Sequence, residues 1–167
     1  GMDMHKKLFT PRQLTALTTF SDLVAEAQAK ATQDALASGM QDDGRGVDEG
    51  GCGATAYGQA VGVYLAFIVD KLADRGSTIC SWDATRDGLR NTFARQAIPM
   101  TWDYAEANPF SSSSGCFDNM LEWVFKSLLE FPATITGTAI QQDAQTDCGL
   151  RNLVILSLIH ISEPTRP

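Results

Sequence analysis

Apolar residues recur along this chain at helical spacing in three separate stretches, and the polar signals around them predict where each helix starts and stops. Thr10-Pro11-Arg12-Gln13 combines an N-capping threonine, a proline at the first helical position and a glutamine placed to close a capping box. Leu14, Leu17, Phe20, Leu23, Val24, Ala27 and Ala31 then follow on one face, which predicts a long amphipathic helix ending near Gly39. The second stretch, Ala54 to Ala73, carries Tyr57, Val61, Tyr64, Leu65, Phe67, Ile68, Val69 and Leu72 around more than one face. That pattern predicts a central helix buried on several sides, ending toward Asp74-Arg75-Gly76 with Gly76 as a left-handed cap. Cys116 to Phe131 is the third, with Phe117, Met120, Leu121, Val124, Leu128 and Leu129 on one face and Pro132 as its stop.

The period changes after Pro132. Thr134 to Gln141 is rich in β-branched residues and reads as a strand, and Leu153-Val154-Ile155 opens a fully apolar one of the kind found in buried parallel sheets. The expected fold class is therefore mostly α with a short β segment, a helical region over 1–132 leading into an incomplete sheet over 133–155. Residues 156–167 are a special case. Leu156 to Arg166 reads, codon by codon, like a translated transposon-end sequencing adapter, so the natural sequence is expected to stop near Ile155 and to continue differently in its source. The alternative is a genuine apolar strand followed by a Ser-Glu-Pro-Thr-Arg-Pro loop.

Between the helices lie two contrasting connections. Gln41 to Gly53 holds five glycines and four acids and is expected to be a flexible acidic loop. Its Gly50-Gly51-Cys52-Gly53 end precedes a helix, as anion-binding loops do. No Gly-Lys-Ser/Thr follows, however, no strand precedes, and the neighbouring acids repel phosphate, so a connector is expected. Ser77 to Ser114 is irregular and dense in specific side chains, among them Trp82, Asp83, Arg86, Arg90, Asn91, Arg95, Gln96, Trp102, Asp103, Tyr104 and Glu106. Asn108-Pro109-Phe110 reads as a turn, and Ser111 to Gly115 as a hinge or turn.

Charge and composition narrow the chemistry. The 167 residues carry a net charge of −7, and removing 156–167 takes one acid (Glu163) and one base (Arg166), so the excess acid belongs to the remainder. A broad phosphate-binding surface is excluded by that balance; any nucleic-acid contact has to be local. Cys52, Cys80, Cys116 and Cys148 include no C-x-x-C pair, and His5 is the one histidine outside the terminal segment, which argues against a zinc site and against histidine-activated nucleophiles. With no secretory signal and no apolar run of eighteen residues, free thiols in a reducing cytoplasm are expected.

Three blocks, Leu8 to Val24, Ser77 to Gly115 and Gln142-Asp143-Ala144, resemble the middle of a family of large adenine-specific DNA methylases that carry an N-terminal domain of unknown function. The likeness covers nearly all of residues 8–155. It implies a helical insert leading into the first strands of a Rossmann-like methyltransferase sheet. It also implies a parent enzyme that uses S-adenosylmethionine to methylate adenine N6 in double-stranded DNA, with the remainder of the methylase chain as this segment's partner. The family's glycine-rich cofactor motif and its Asp-Pro-Pro-Tyr loop, which holds a flipped adenine, are both absent here, so this segment is expected to be inactive by itself. One cofactor contact is implied: Asp143, in the place of a post-strand acid that accepts from the cofactor's adenine amine, although Gln142 replaces the usual glycine.

Arg86, Arg90, Asn91, Arg95 and Gln96 are candidate DNA contacts, because guanidinium groups bind phosphate bidentately and amides read base edges. The competing reading pairs these side chains internally with Asp83, Asp87, Asp103 and Glu106. Trp82, Trp102 and Tyr104 could stack on a base but are expected in the core. Two further functions stay open: a non-enzymatic helical interaction module with an acidic surface, and a regulatory subunit that complements a separate catalytic chain.

Overall fold

A computed structural model describes residues 3–94 and 96–131, and all but Phe131 belong to one compact unit, Gly1–Glu130. Its elements are a 3-10 turn at His5–Leu8, α1 (Pro11–Ala37), α2 (Ala54–Arg75), β1 (Trp82–Asp83), β2 (Gly88–Leu89) and α3 (Phe117–Glu130). The described part is thus mostly helical with one small antiparallel sheet. The strands expected at Thr134–Gln141 and from Leu153 lie outside the described residues, as do Pro132 and the terminal segment.

Helix α1 begins and ends as its sequence predicts. Thr10 Oγ1 accepts from Gln13 N at 3.2 Å while Thr10 N donates to Gln13 Oε1 at 2.8 Å, which completes the capping box. At the other end Gly39, at φ +92°, closes a Schellman motif: its N–H donates to Leu36 O and that of Met40 to Ala35 O, both at 3.0 Å. Leu14, Leu17, Phe20, Val24, Ala27 and Ala31 are all partly covered, but Leu23 lies exposed at the edge of the stripe.

The second helix corrects two expectations. It is not buried on several sides: Tyr57 and Phe67 are each 51% exposed, and Val63 is also exposed. The buried positions are Ala54, Ala56, Gly58 and Gly62 toward the start and Ile68 and Leu72 toward the end. Small residues bring α2 close to α1, and the larger ones then meet α3, so two stripes are covered and the rest faces out. Nor does Gly76 adopt a left-handed cap; its φ of −122° is one that any residue could take. Ile68, Leu72 and Met120 form the core, with Leu17, Phe20, Leu65, Phe117 and Val124 packed around them. Phe20 stacks on Phe117 at 5.3 Å between ring centroids and an interplanar angle of 10°.

The glycine-rich connection between α1 and α2 is hydrogen-bonded rather than free. Asp42 Oδ1 accepts from Thr55 N at 3.0 Å and its Oδ2 from Thr55 Oγ1 at 2.6 Å, so it caps α2 through a residue thirteen positions away, where the N-cap Gly53 has no side chain to do so. Asp43 accepts from Arg45 N and Cys52 N, and Val47 N donates to Gln59 Oε1 at 2.8 Å. These bonds hold the carboxyls of Asp42 and Asp43 below the usual carboxylate range, led by the Thr55 hydroxyl for Asp42 and the Arg45 N–H for Asp43. A carboxylate whose folded pKa is depressed adds stability above its unfolded pKa, about 4, and that contribution fades as pH falls through the lower folded value. Thermal melts from neutral pH to below pH 4 should therefore show a falling Tm, with part of the slope missing in Asp42→Asn. An unchanged slope in that variant would rule out Asp42 as a pH-dependent cap.

Candidate functional site

The segment between α2 and α3 is anchored by a buried polar knot. Ser77 and Cys80 are fully buried and Thr92 nearly so. Thr92 Oγ1 lies 2.8 Å from Ser77 Oγ, 3.1 Å from Cys80 Sγ and 3.2 Å from Ala73 O. Ser77 Oγ also accepts from Ile79 N at 3.3 Å, and Cys80 Sγ–H donates to Asp74 O at 3.5 Å. Each hydroxyl has one proton, so the knot is satisfied as a chain of donors and acceptors. Asp74 extends it outward: its backbone O accepts from Thr92 N at 2.7 Å, and its carboxylate accepts from Phe93 N at 3.0 Å and from the Asn91 amide. Thr78 N and Oγ1 both donate to Leu8 O at 2.8 Å, fastening the knot to the chain before α1.

From this anchor the chain leaves as the β1–β2 hairpin, with Trp82 opposite Leu89 and Asp83 opposite Gly88. The irregular pattern of Ser77 to Ser114 did not predict it. Asp83 builds its turn: Oδ1 accepts from Thr85 N at 3.1 Å and from the Thr85 hydroxyl, and its backbone O accepts from Arg86 N at 3.2 Å. Asp87, at φ +48°, closes the turn in the left-handed region that Asp tolerates better than most residues. The Asp-Gly pair at 87–88 was the one local sign of a hairpin in the sequence.

Beside the hairpin opens a groove of about 990 Å³. Its walls bring together Arg75, Asp83, Arg86, Asp87, Arg90 and Asn91 from one side, Met100, Trp102 and Asp103 from the loop, and Asn119, Met120 and Trp123 from α3. Arg75 Nη1 donates to Leu89 O at 3.0 Å, which commits it to holding β2. Arg90 Nε stands 3.7 Å from Asp83 Oδ2, so one of the internal pairs expected from the sequence forms. The Thr85 hydroxyl and N–H, followed by Arg90 and Arg86, hold the Asp83 carboxyl below its usual range. Arg86 makes no ion pair among the described residues and is exposed. Glu106 pairs with Arg12 of α1 instead of with any groove arginine.

Of the five candidate DNA contacts, Arg86, Arg90 and Asn91 therefore share one concavity, with the Asn91 amide already donating to Asp74. Gln96 is exposed and does not line the groove, and Arg95 and Asp143 lie outside the described residues. The aromatics depart from expectation: Trp102 is 92% exposed, and Trp82 and Tyr104 are also on the surface rather than in the core. Trp123, which the helical pattern left unassigned, is 62% exposed and lines the groove. The turn at Asn108-Pro109-Phe110 is as expected, with Asn108 Oδ1 accepting from Phe110 N at 3.0 Å and Pro109 O from Phe117 N at 2.8 Å.

Among the described residues no three histidine, cysteine or acidic side chains converge as metal ligands, Cys52, Cys80 and Cys116 are free thiols, and no helix is long and apolar enough to cross a membrane. Comparison with family models, with characterised proteins and with solved structures returns no match.

Proposed function

We propose that this chain is a segment of an S-adenosylmethionine-dependent DNA adenine N6-methyltransferase, and that the groove beside the hairpin is its local DNA contact. The observation that carries the reading is the convergence of Arg86 and Arg90 on one groove, built mainly from the Ser77–Gly115 block on which the methylase resemblance rests and walled on one side by α3. A chain of net charge −7 repels DNA at long range, so contact through individual arginines is what its charge balance permits, and in this groove Arg75, Arg86 and Arg90 stand against Asp83, Asp87 and Asp103. Arg86 is the stronger of the two, because Asp83 offsets part of the charge on Arg90. Methyl transfer itself would need the cofactor site and the adenine-holding loop of the parent enzyme, with which this segment would be continuous as a Rossmann-like sheet and its helical insert. The isolated chain is accordingly a non-catalytic part working in the cytoplasm.

Fluorescence anisotropy with a labelled duplex at stepped salt concentrations tests the contact. Binding should be weak and salt-sensitive, and Arg86→Ala with Arg90→Ala should flatten the plot of log affinity against log salt by about 2, one phosphate contact per arginine. No binding at low salt, or an unchanged slope in the double variant, would overturn the reading. The non-enzymatic interaction module would then stand ahead, because Leu121, Phe125 and Leu129 form an exposed apolar stripe along α3 at i, i+4 and i+8 spacing.

A further inference from the structure

The groove holds more than cationic groups, and its remaining side chains suit something a duplex does not offer. Trp102 and Met100 stand almost fully in solvent, and Trp123 faces the same concavity from α3. A large indole left in water forgoes the burial that normally holds it in a core, and here the surrounding loop is fixed by bonds such as Ala105 N to Cys80 O at 2.8 Å. A base pair hides both faces of its bases within the helical stack, so exposed indoles beside a duplex have nothing to stack on. An unpaired strand presents every base face.

The acids in the groove bear on which bases it would take. Asp87 and Asp103 line it together with Arg86 and Arg90. Toward phosphate alone they are repulsive, but a carboxylate accepts hydrogen bonds from exocyclic amines, as cytosine N4 illustrates. Adenine and cytosine carry such amines and thymine has none; pairing uses one of the two amine hydrogens and leaves the other in the major groove, whereas an unpaired base offers both. The volume of about 990 Å³ is at the upper end of the range for small-ligand pockets, about 300–1,000 Å³, and so has room for more than one nucleotide.

We propose that the groove binds unpaired single-stranded DNA, with Trp102 and Trp123 as stacking platforms, Arg86 and Arg90 on the phosphates, and Asp87 and Asp103 accepting from the amines of adenine or cytosine. The inference rests on the nucleic-acid reading of the same groove and adds the form of strand and the preferred bases. Stacking on an aromatic side chain combined with a cationic track is the general means of holding single strands.

The test uses the whole chain and labelled oligonucleotides of one length: oligo-dA, oligo-dC, oligo-dT and a mixed-sequence duplex. Single strands of dA and dC should bind at least tenfold tighter than the duplex and several-fold tighter than dT. Trp102→Ala should weaken single-strand binding about tenfold, and, because Trp102 is almost fully exposed, without changing the helical circular dichroism signal. Asp87→Asn with Asp103→Asn should narrow the difference between dA or dC and dT. Duplex bound as tightly as single strands, or single-strand binding indifferent to Trp102→Ala and Trp123→Ala, overturns this inference and leaves the duplex contact standing. Binding to neither form overturns both.

Discussion

Ile68→Ala should destabilise the folded unit by about 3 kcal/mol, within the 2–5 kcal/mol typical of isoleucine truncation in a packed core. Ile68 is 1% exposed and lies on α2 at the centre of the cluster with Leu72 and Met120, against Leu17, Phe20 and Phe117 from the other two helices. Removing its outer carbons loses their burial and leaves a cavity whose walls come from all three helices. Those walls cannot collapse independently, because Phe20 is stacked on Phe117 and both rings are held in place by their helices. Urea melts followed by circular dichroism should show a lower midpoint at unchanged slope, and Ile68→Val should cost about 1 kcal/mol. A loss below about 1 kcal/mol for Ile68→Ala would mean that this cluster does not hold the unit together.

Gly58→Leu should be comparably damaging, at about 3 kcal/mol, and for the opposite reason. A Cβ at Gly58 would stand 2.0 Å from Thr32 Oγ1 and 2.9 Å from the backbone O of Gln28, both on α1. Thr32 can rotate away, though it would give up its 3.1 Å bond to Gln28 O; the backbone carbonyl cannot. Overpacking of a fixed interface costs about 1–3 kcal/mol, and a leucine adds bulk beyond the Cβ. Gly58→Ala is the sharper test, because helix propensity alone would make it stabilising by about 1 kcal/mol. The expected result is a net loss of stability that Thr32→Ala in the same chain partly restores, since it removes the closest atom but not the Gln28 carbonyl. A Gly58→Ala protein more stable than the parent would show that the two helices do not need this close approach.

Both substitutions concern features that a helical period alone does not distinguish. The apolar pattern of Ala54 to Ala73 identifies a helix, but Val63 and Phe67 are apolar like Ile68 and Leu72, Tyr57 carries a large ring, and all three end up exposed. What separates them is where α1 and α3 lie, which depends on small residues at Gly58 and Gly62 more than on large ones. Leu23, Leu121 and Leu129 depart from their expected faces for the same reason, since the stripe on a helix is wider than the strip its neighbour covers.

The groove was legible only in its ingredients. Its arginines, acids and indoles stand out in Ser77 to Ser114, yet whether they pair internally or face outward depends on contacts between distant parts of the chain. Glu106 is taken by Arg12, ninety-four positions away, Asn91 by Asp74, and Arg75 by a carbonyl of the hairpin. The knot that holds this segment uses Ser77, Cys80 and Thr92, residue types too common for their spacing to announce a role.

By itself the sequence determined what is decided within a few residues: the capping box at Thr10, the Schellman stop at Gly39, the extents of three helices and the turn at Asn108-Pro109-Phe110. Each depends on backbone groups that a side chain or backbone group a few residues away either satisfies or leaves orphaned, and such local bonds form in the same way whatever surrounds them. Only the tertiary structure decided which apolar faces are covered, that Asp42 caps a helix beginning twelve residues later, and that Arg86, Arg90, Trp102 and Trp123 share one groove. Those outcomes follow from the close approach of α1 and α2 and from the anchored path between α2 and α3, where burial and charge are set by elements far apart in the chain.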